Sequence, residues 1–363
     1  MPDSVSPSRG SSLRIGVLGC GPVAQAAHFE ACRKADNAEL YALCDVANDL
    51  RERMAAVHQP QVQYGSYEDM LSDPSVDAVI VATADAFHVP AAQQAVEAGK
   101  HVLVEKPLGT DLDACLDLRE RVQTNDVVLQ VGHMKRFDPG LEYARDFIGE
   151  QLGEMFAFKA WYADSSHRYD MTDATQPVIV QSDQARTPED DPKADLAHYY
   201  MRAHGSHLFD TTQFLGGPIE AVRARHTNEA GPHCWFIDVA FTDGTLGHLD
   251  LTVAVRMDWH EGFEIYGEQG SVQGKTFNPW YFKASEVDCF SESDEQYHRP
   301  LGSDAHFYRR QVEGFANTIL NGTPQQGTGI DDGIAVVRAM IATARSVDSG
   351  QWVDLDQVQG SLS

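Results

Sequence analysis

The chain has 363 residues, enough for two domains, and 42% of them are hydrophobic, ample for packed cores. Acidic residues outnumber basic ones 54 to 28; the net charge of −26 argues against a nucleic-acid partner, because phosphate contacts need Lys and Arg, and disfavours an anionic membrane surface. The six cysteines form no C-x-x-C pair, no apolar run reaches the roughly 18 residues of a membrane span, and the polar start has no signal-type apolar stretch, so the expected location is the cytoplasm.

Residues 1–12 read as a flexible tail. Residues 13–18 then form a predicted strand, Gly19-Cys20-Gly21-Pro22-Val23-Ala24 a turn, and residues 24–35 a helix. In this G-x-G-x-x-A arrangement the first glycine permits the tight turn, and the second lets the backbone approach a pyrophosphate seated on the helix N-terminus. A second strand over residues 39–44 ends in Asp45, 26 residues after Gly19, near the spacing of an acidic residue that binds the adenosine ribose. A carboxylate there repels a 2′-phosphate, and Val46, Ala47 and Asn48 supply no cation for one, so NAD is favoured over NADP.

Alternation continues with a helix over 47–57, a strand over 61–64, a helix over 67–71 capped by Ser66, and an apolar strand over 76–82 that runs into Thr83-Ala84-Asp85-Ala86-Phe87-His88. A helix over 89–98 stops at Gly99, and a strand over 102–104 delivers Glu105-Lys106-Pro107. Proline ends a ladder, and ligands of open α/β sheets gather at the carboxyl ends of strands, so Lys106 is carried to a site. A helix over 112–124 and a strand over 127–131 complete the pattern of a doubly wound parallel sheet, a Rossmann domain over residues 13–135.

The pattern then changes. A helix over 141–148 and a strand over 155–161 precede a polar segment over 163–198, long enough to be functional and expected to overhang the substrate pocket. Four strands, near 221–227, 235–241, 245–255 and 263–266, and two amphipathic helices over 305–320 and 330–346 follow. Residues 136–350 therefore form an α+β domain with an open, mainly antiparallel sheet, and 351–363 a C-terminal tail.

The motifs at 19–24, Cys44-Asp45, H-V-L-V-E-K-P at 101–107, G-H-M-K-R-F at 132–137, H-G-S-H-L-F-D at 204–210 and Y-G-E-Q-G-S at 266–271 resemble the Gfo/Idh/MocA family, over about residues 13 to 350. The resemblance implies a nicotinamide-dependent oxidoreductase of sugars, cyclitols or their derivatives, with a substrate domain whose open sheet joins subunits into dimers or tetramers. The family usually has Thr-Pro-Asn ahead of the histidine matching His88, where this chain has Thr83-Ala84-Asp85, and that loop lies close to the cofactor in relatives. Thr83, Asp85, His88, Glu105 and Lys106 thus join Gly19, Cys20, Gly21, Pro22, Val23 and Asp45 as expected cofactor contacts.

Hydride transfer from a carbinol needs a base for the hydroxyl proton and a donor for the developing alkoxide. Lys106 is the expected donor and proton relay; His207 is the expected general base, a role the resemblance gives the matching histidine. Many relatives carry Asp four residues before that histidine, where this chain has Ala203, which leaves His204, Tyr199, Tyr200 or Asp210 for the second relay position. Asp210 reads first as a helix brace, Arg136 as a domain brace or a substrate contact, and His167 as a substrate contact from the long segment. The H-x-x-H pair of His204 and His207 also has metal-ligand spacing, but the glycine loop and E-K-P point elsewhere and no metal is expected.

Three functions stay open: an NAD-dependent dehydrogenase of a sugar, glycoside or cyclitol hydroxyl; an enzyme oxidising glycosides at C3 with NAD kept bound and recycled; and a non-catalytic dinucleotide sensor. The open sheet face is expected to expose Leu249, Leu251 and Val253 and to mediate a homodimer or homotetramer.

Overall fold

In the computed structural model, which describes residues 12–167, 170 and 173–362, the first half is a six-stranded parallel sheet. Its strands are β1 Leu13–Leu18, β2 Ala38–Cys44, β3 Val62–Tyr64, β4 Ala78–Val81, β5 His101–Val104 and β6 Leu129–Val131, in the order β3-β2-β1-β4-β5-β6. Val79 to Val81 and Val102 to Val104 are fully buried, as strands covered by helices on both faces must be. The order reverses beside β1, which puts a crevice at the carboxyl ends of β1 and β4. Local signals set the helix boundaries: Ser66 accepts a hydrogen bond from the Asp69 amide, Asp111 one from Ala114, and Gly99 leaves helix His88–Glu97 at φ +69°.

The second half is built on a nine-stranded mixed sheet. Its strands are β7 Met155–Ser165, β8 Ile219–Thr227, β9 His233–Phe241, β10 Leu246–Val255, β11 His260–Gly267, β12 Gly270–Thr276, β13 Glu286–Ser291, β14 Gln296–His298 and β15 Val353–Asp354. The order is β14-β13-β12-β11-β7-β10-β9-β8-β15, and only β7 and β10 run parallel. Helices Ser206–Gly216 and Ile330–Ser349 cover one face.

Several expectations need correction here. Leu249, Leu251 and Val253 are at most 2% exposed; they point toward the helices, and the open face instead carries Phe236, Asp238 and His248. Alternation located the strand, but which parity faces inward depends on where the helices dock. The five strands expected in this half, the one over 155–161 and the four after it, become nine, because β12 to β15 are short or polar and are held by pairing with their neighbours. Strand β7 runs on to Ser165, four residues past its expected end, because β10 and β11 flank it on both sides. The expected C-terminal tail is docked: Leu355, Val358 and Leu362 are buried, and the Leu362 amide donates to the Thr110 carbonyl at 2.9 Å. The tail expected over residues 1–12 lies, but for Ser12, outside the described residues.

The domains also interlock. Helix Phe307–Asn321 comes from the second half in sequence, yet Phe307, Tyr308, Val312, Phe315 and Ala316 pack into the same core as β1 and helix Phe29–Lys34. Arg136, just past β6, accounts for the other link. It pairs with Asp210 (Nη2–Oδ1 2.8 Å) and Asp332 (Nη1–Oδ2 2.8 Å), tying the Rossmann edge to both covering helices. Burial pushes the Asp210 carboxyl up, but the charge and hydrogen bonds of Arg136, with His133 and a hydrogen bond from Thr328, together outweigh it and leave it below its usual range. Among the described residues no helix is long and apolar enough to cross a membrane.

Candidate active site

A cleft of about 390 Å³ lies between the two halves, lined from the Rossmann side by Val23, Thr83, Asp85, His88, Glu105 and Lys106. Gly19 has φ +93°, and a Cβ there would meet the Ala82 carbonyl oxygen at 2.8 Å, so only glycine fits. At Gly21 a Cβ would meet nothing within 4 Å; the space beside the loop is open for a ligand. Asp45 reaches back to this loop: one carboxylate oxygen accepts from the Cys20 amide at 2.7 Å, the other from Ala47 at 2.8 Å. Glycine loop, helix start and acidic strand end thus meet as a dinucleotide requires, with the carboxylate beside the turn that would carry the pyrophosphate. Arg51, one helical turn on, donates to the Asp45 carbonyl at 2.9 Å, a cation the sequence reading of residues 46–48 overlooked.

Behind this wall the charged end of β5 is braced. His28 and Glu105 pair at 2.8 Å, both buried. Burial alone would raise the Glu105 carboxyl, but the hydrogen bond and charge of His28 leave it below its usual range. His88 lies within 2.8 Å of the Pro107 carbonyl and 3.2 Å of the Thr83 carbonyl, joining the loops after β4 and β5. Lys106 is thereby aimed into the cleft, where its Nζ donates to the Ala203 carbonyl at 3.3 Å.

The opposite wall begins at residues 201–205, a wide π-turn that runs into helix Ser206–Gly216. It brings His204 and His207 to the same cleft. His207 is buried against the Tyr162 ring, nearly parallel at a centroid distance of 6.2 Å, with His133 edge-on at 5.8 Å. Burial first, then the nearby Lys135 and Lys106 charges, push its imidazole well below the usual range, so it is neutral at pH 7. His204 lies 3.3 Å through Nδ1 from the Tyr162 hydroxyl and 3.5 Å through Nε2 from Asp164.

The two other expected substrate contacts stand elsewhere. Arg136 is occupied by Asp210 and Asp332 behind the cleft, and His167 is 64% exposed, 3.8 Å from Asp170, and does not line it. Asp210, read from the sequence as a brace of its own helix, instead braces the domains through Arg136 and Thr328. No group of three or more His, Cys, Asp or Glu side chains placed to hold a metal occurs among the described residues.

Sequence reasoning missed much of this wall. Tyr162, Trp259, Asn278, Trp280 and Tyr308 line the cleft. Below Tyr162 lies a buried ion pair of Lys135 and Glu261, with the ammonium 4.5 Å from the ring centroid and Trp259 donating to Glu261 at 3.1 Å. One signal was available: along β7 the inward parity reads Phe158, Ala160, Tyr162, Asp164, and its switch from apolar to polar marks where the core gives way to the cleft. The long segment does reach the cleft, through Asp173 and Gln176. It then crosses the Rossmann edge: the Val180 backbone exchanges two hydrogen bonds of 2.9 Å with Gln25, Ser182 donates to Asp49 at 2.6 Å, and Arg186 lies 4.5 Å over the Phe87 ring. Gln25 also donates to the Cys20 carbonyl of the glycine loop.

Comparison with known proteins places this architecture. The family model described as oxidoreductase family, NAD-binding Rossmann fold, matches residues 13–133, and the GFO/IDH/MocA C-terminal domain matches residues 149–273. An inositol 2-dehydrogenase of Corynebacterium glutamicum is 33% identical over 353 residues, covering 93% of this chain and 95% of its own. A myo-inositol 2-dehydrogenase of Thermotoga maritima is 24% identical over 96% of this chain and 100% of its own. A solved structure of levoglucosan dehydrogenase with NADH and levoglucosan superposes with a TM-score of 0.77 at 19% identity, over 96% of this chain and all of that one, a likeness of fold.

Proposed function

The chain belongs to the Gfo/Idh/MocA family of NAD-binding oxidoreductases, and from that premise we propose that it oxidises a secondary hydroxyl of a sugar, glycoside or cyclitol. The observation that carries this reading is the meeting of Lys106 and a neutral, buried His207 in one cleft that reaches Val23 at the end of the glycine loop. The loop at Gly19 to Val23 and Asp45 hold the dinucleotide; when bound, NAD supplies the hydride acceptor. The Lys106 ammonium donates to the oxygen as negative charge develops on it, and His207, neutral at pH 7, accepts the hydroxyl proton. Purified protein, offered NAD and a panel of sugars, glycosides and cyclitols, should reduce NAD with at least one. Tight NAD binding without turnover on any of them would favour the sensor instead.

One observation favours a variant of this function, in which NAD stays bound and is recycled. The segment through Val180 and Arg186 is tied to Gln25, Asp49 and Phe87 around the glycine loop, so it covers the edge by which a dinucleotide enters. Protein purified without added cofactor should then carry the absorbance of bound NAD or NADH; loss of all nucleotide on gel filtration counts against it. The expected homo-oligomer we assign to the outer sheet face, where Phe236 and Leu246 are exposed, and a monomeric mass by light scattering would overturn it.

A further inference from the structure

A dinucleotide has two halves, and the fold separates them. Asp45 follows β2, on one side of the glycine loop, and marks the adenosine half. The strand order β3-β2-β1-β4-β5-β6 leaves the ends of β4 and β5, on the other side of that loop, for the nicotinamide half. Asp85 stands there. It opens the short turn Asp85–Phe87 after β4, lines the cleft and is half-buried.

The turn is held in place without the Asp85 side chain. The Phe87 amide donates to the Ala84 carbonyl at 2.8 Å, and the His88 ring bridges the Thr83 and Pro107 carbonyls. The Asp85 carboxylate itself has no hydrogen bond or ion pair among the described residues. Lys106 Nζ is turned to the Ala203 carbonyl, and Arg186 lies over the Phe87 ring. The other charged residues of the lining are Glu105, Asp173 and Lys106, so carboxylates outnumber cations there. The same cleft holds an unmet donor. Asn278 is 1% exposed and lines the cleft, and its Oδ1 accepts from the Trp280 amide at 3.1 Å. Its Nδ2 is left buried with no partner among the described residues. An unpaired buried donor is costly, so the cleft matches a ligand that brings an acceptor oxygen, as a carboxamide does.

We propose that Asp85 discriminates between the oxidation states of the cofactor: its carboxylate favours the positively charged nicotinamide ring of NAD over the neutral ring of NADH. A carboxylate without a partner loses water when the cleft fills, and only the oxidised ring brings a charge to offset that loss. Asn is the usual residue of the family pattern at this position, so the charge belongs to this chain. Each tenfold of preference lowers the potential of the bound two-electron couple by about 30 mV. Weaker holding of NADH favours both of its exits, release from the cleft and return of its hydride to a bound carbonyl. The assignment needs the dinucleotide site alone and is independent of the roles of Lys106 and His207.

Equilibrium binding of NAD, NADH and ADP-ribose to the whole protein and to Asp85→Asn tests it without any substrate. In the variant the ratio of the NADH to the NAD dissociation constant should fall roughly tenfold, the order that one partly screened charge pair supplies. Asp85→Ala should give the same ratio. ADP-ribose, which lacks the ring, should change only as NADH does, and its binding shows that the variants fold. An unchanged ratio overturns the proposal. So does an equal loss of NAD and NADH, which would make Asp85 a contact to ribose hydroxyls instead. Neither result touches the proposed oxidation. Failure of all three nucleotides to bind the unmodified protein would overturn the dinucleotide site, and this assignment with it.

Discussion

The two walls of the cleft are made differently. On the Rossmann side the working groups come from short runs at strand ends: Gly19 to Val23 after β1, Asp45 after β2, and Glu105-Lys106 after β5. On the other side Lys135, Tyr162, His204, His207, Trp259 and Glu261 converge from four separate elements into one buried polar cluster. The first wall binds by backbone geometry and tolerates change in most side chains; the second acts through side-chain charge in a low-dielectric setting, where each group depends on its neighbours. Damage to the glycine loop or Asp45 should therefore appear in cofactor affinity, and damage to Lys106 or to the second wall in kcat or in stability.

The sharpest separation comes from the reacting pair. His207→Asn should lower kcat about 100- to 10,000-fold, the usual range for loss of a general base, with partial rescue as pH rises. Lys106→Ala should lose about 100- to 1,000-fold with less rescue, since hydroxide replaces a base but not a donor. NAD binding, read by tryptophan fluorescence, should stay within about tenfold of normal in the His207 variant if the walls are independent.

Next in size is the ion pair under Tyr162. Burial, only partly offset by Glu261, holds the Lys135 ammonium below its usual range. Glu261→Gln should cost about 3–5 kcal/mol in denaturant unfolding by leaving a buried cation unpaired, and a double apolar replacement of Lys135 and Glu261 should recover most of it. Equal losses in the single and double variants would show the pair does not act as a unit.

Acid should attack the second wall first. Burial holds His133 down to about 4, and His207 is lowered in the same direction. Both histidines stay neutral in the fold yet bind protons in the unfolded chain below about 6.5, so the unfolded state carries more protons between those values. Stability must therefore rise with pH through about 4 to 6.5, and is lost on acidification across that window. At about 1.4 kcal/mol per unit His133 alone accounts for roughly 3 kcal/mol. Chemical denaturation of His133→Phe should show a flatter profile there, and an unchanged slope would remove His133 from this account.

Two smaller effects belong to the first wall. With Arg51 already at the turn, Asp45→Ser alone should lower KM for NADP by about tenfold, or ~1.4 kcal/mol, without an added cation. A preference for NADP in the unmodified protein would contradict the reading of Asp45. Gln25→Ala removes two hydrogen bonds to Val180 and should speed NAD dissociation by up to about 30-fold, at about 1 kcal/mol for each net hydrogen bond. An unaltered off-rate, measured by stopped flow, would mean that the segment over the glycine loop does not retain cofactor.

The Rossmann half was legible because its signals are local. Strand and helix alternate with clear periods, Gly19 takes the positive φ that its tight turn requires, and the motif carries its own geometry. The sheet half was legible only in outline. Leu249, Leu251 and Val253 announced a strand but not which way it faced; Tyr162 was left just past the expected strand and Asp164 placed in a loop, because a polar strand end looks the same as one in sequence.

By itself, then, the sequence determined the dinucleotide-binding domain, the carriage of Lys106 to a strand end and the pairing of His204 with His207 near it, since each depends on residues a few positions apart. Tertiary structure alone decided that Arg136 and Asp210 brace the domains rather than touch the cleft, that His167 stands outside it, and that Tyr162, Asp164, Lys135 and Glu261 surround the histidines. The physical reason is the range of the forces: turn sterics and periodicity act between neighbours in the chain, whereas burial and charge act between neighbours in space, and those neighbours exist only once the sheet has formed.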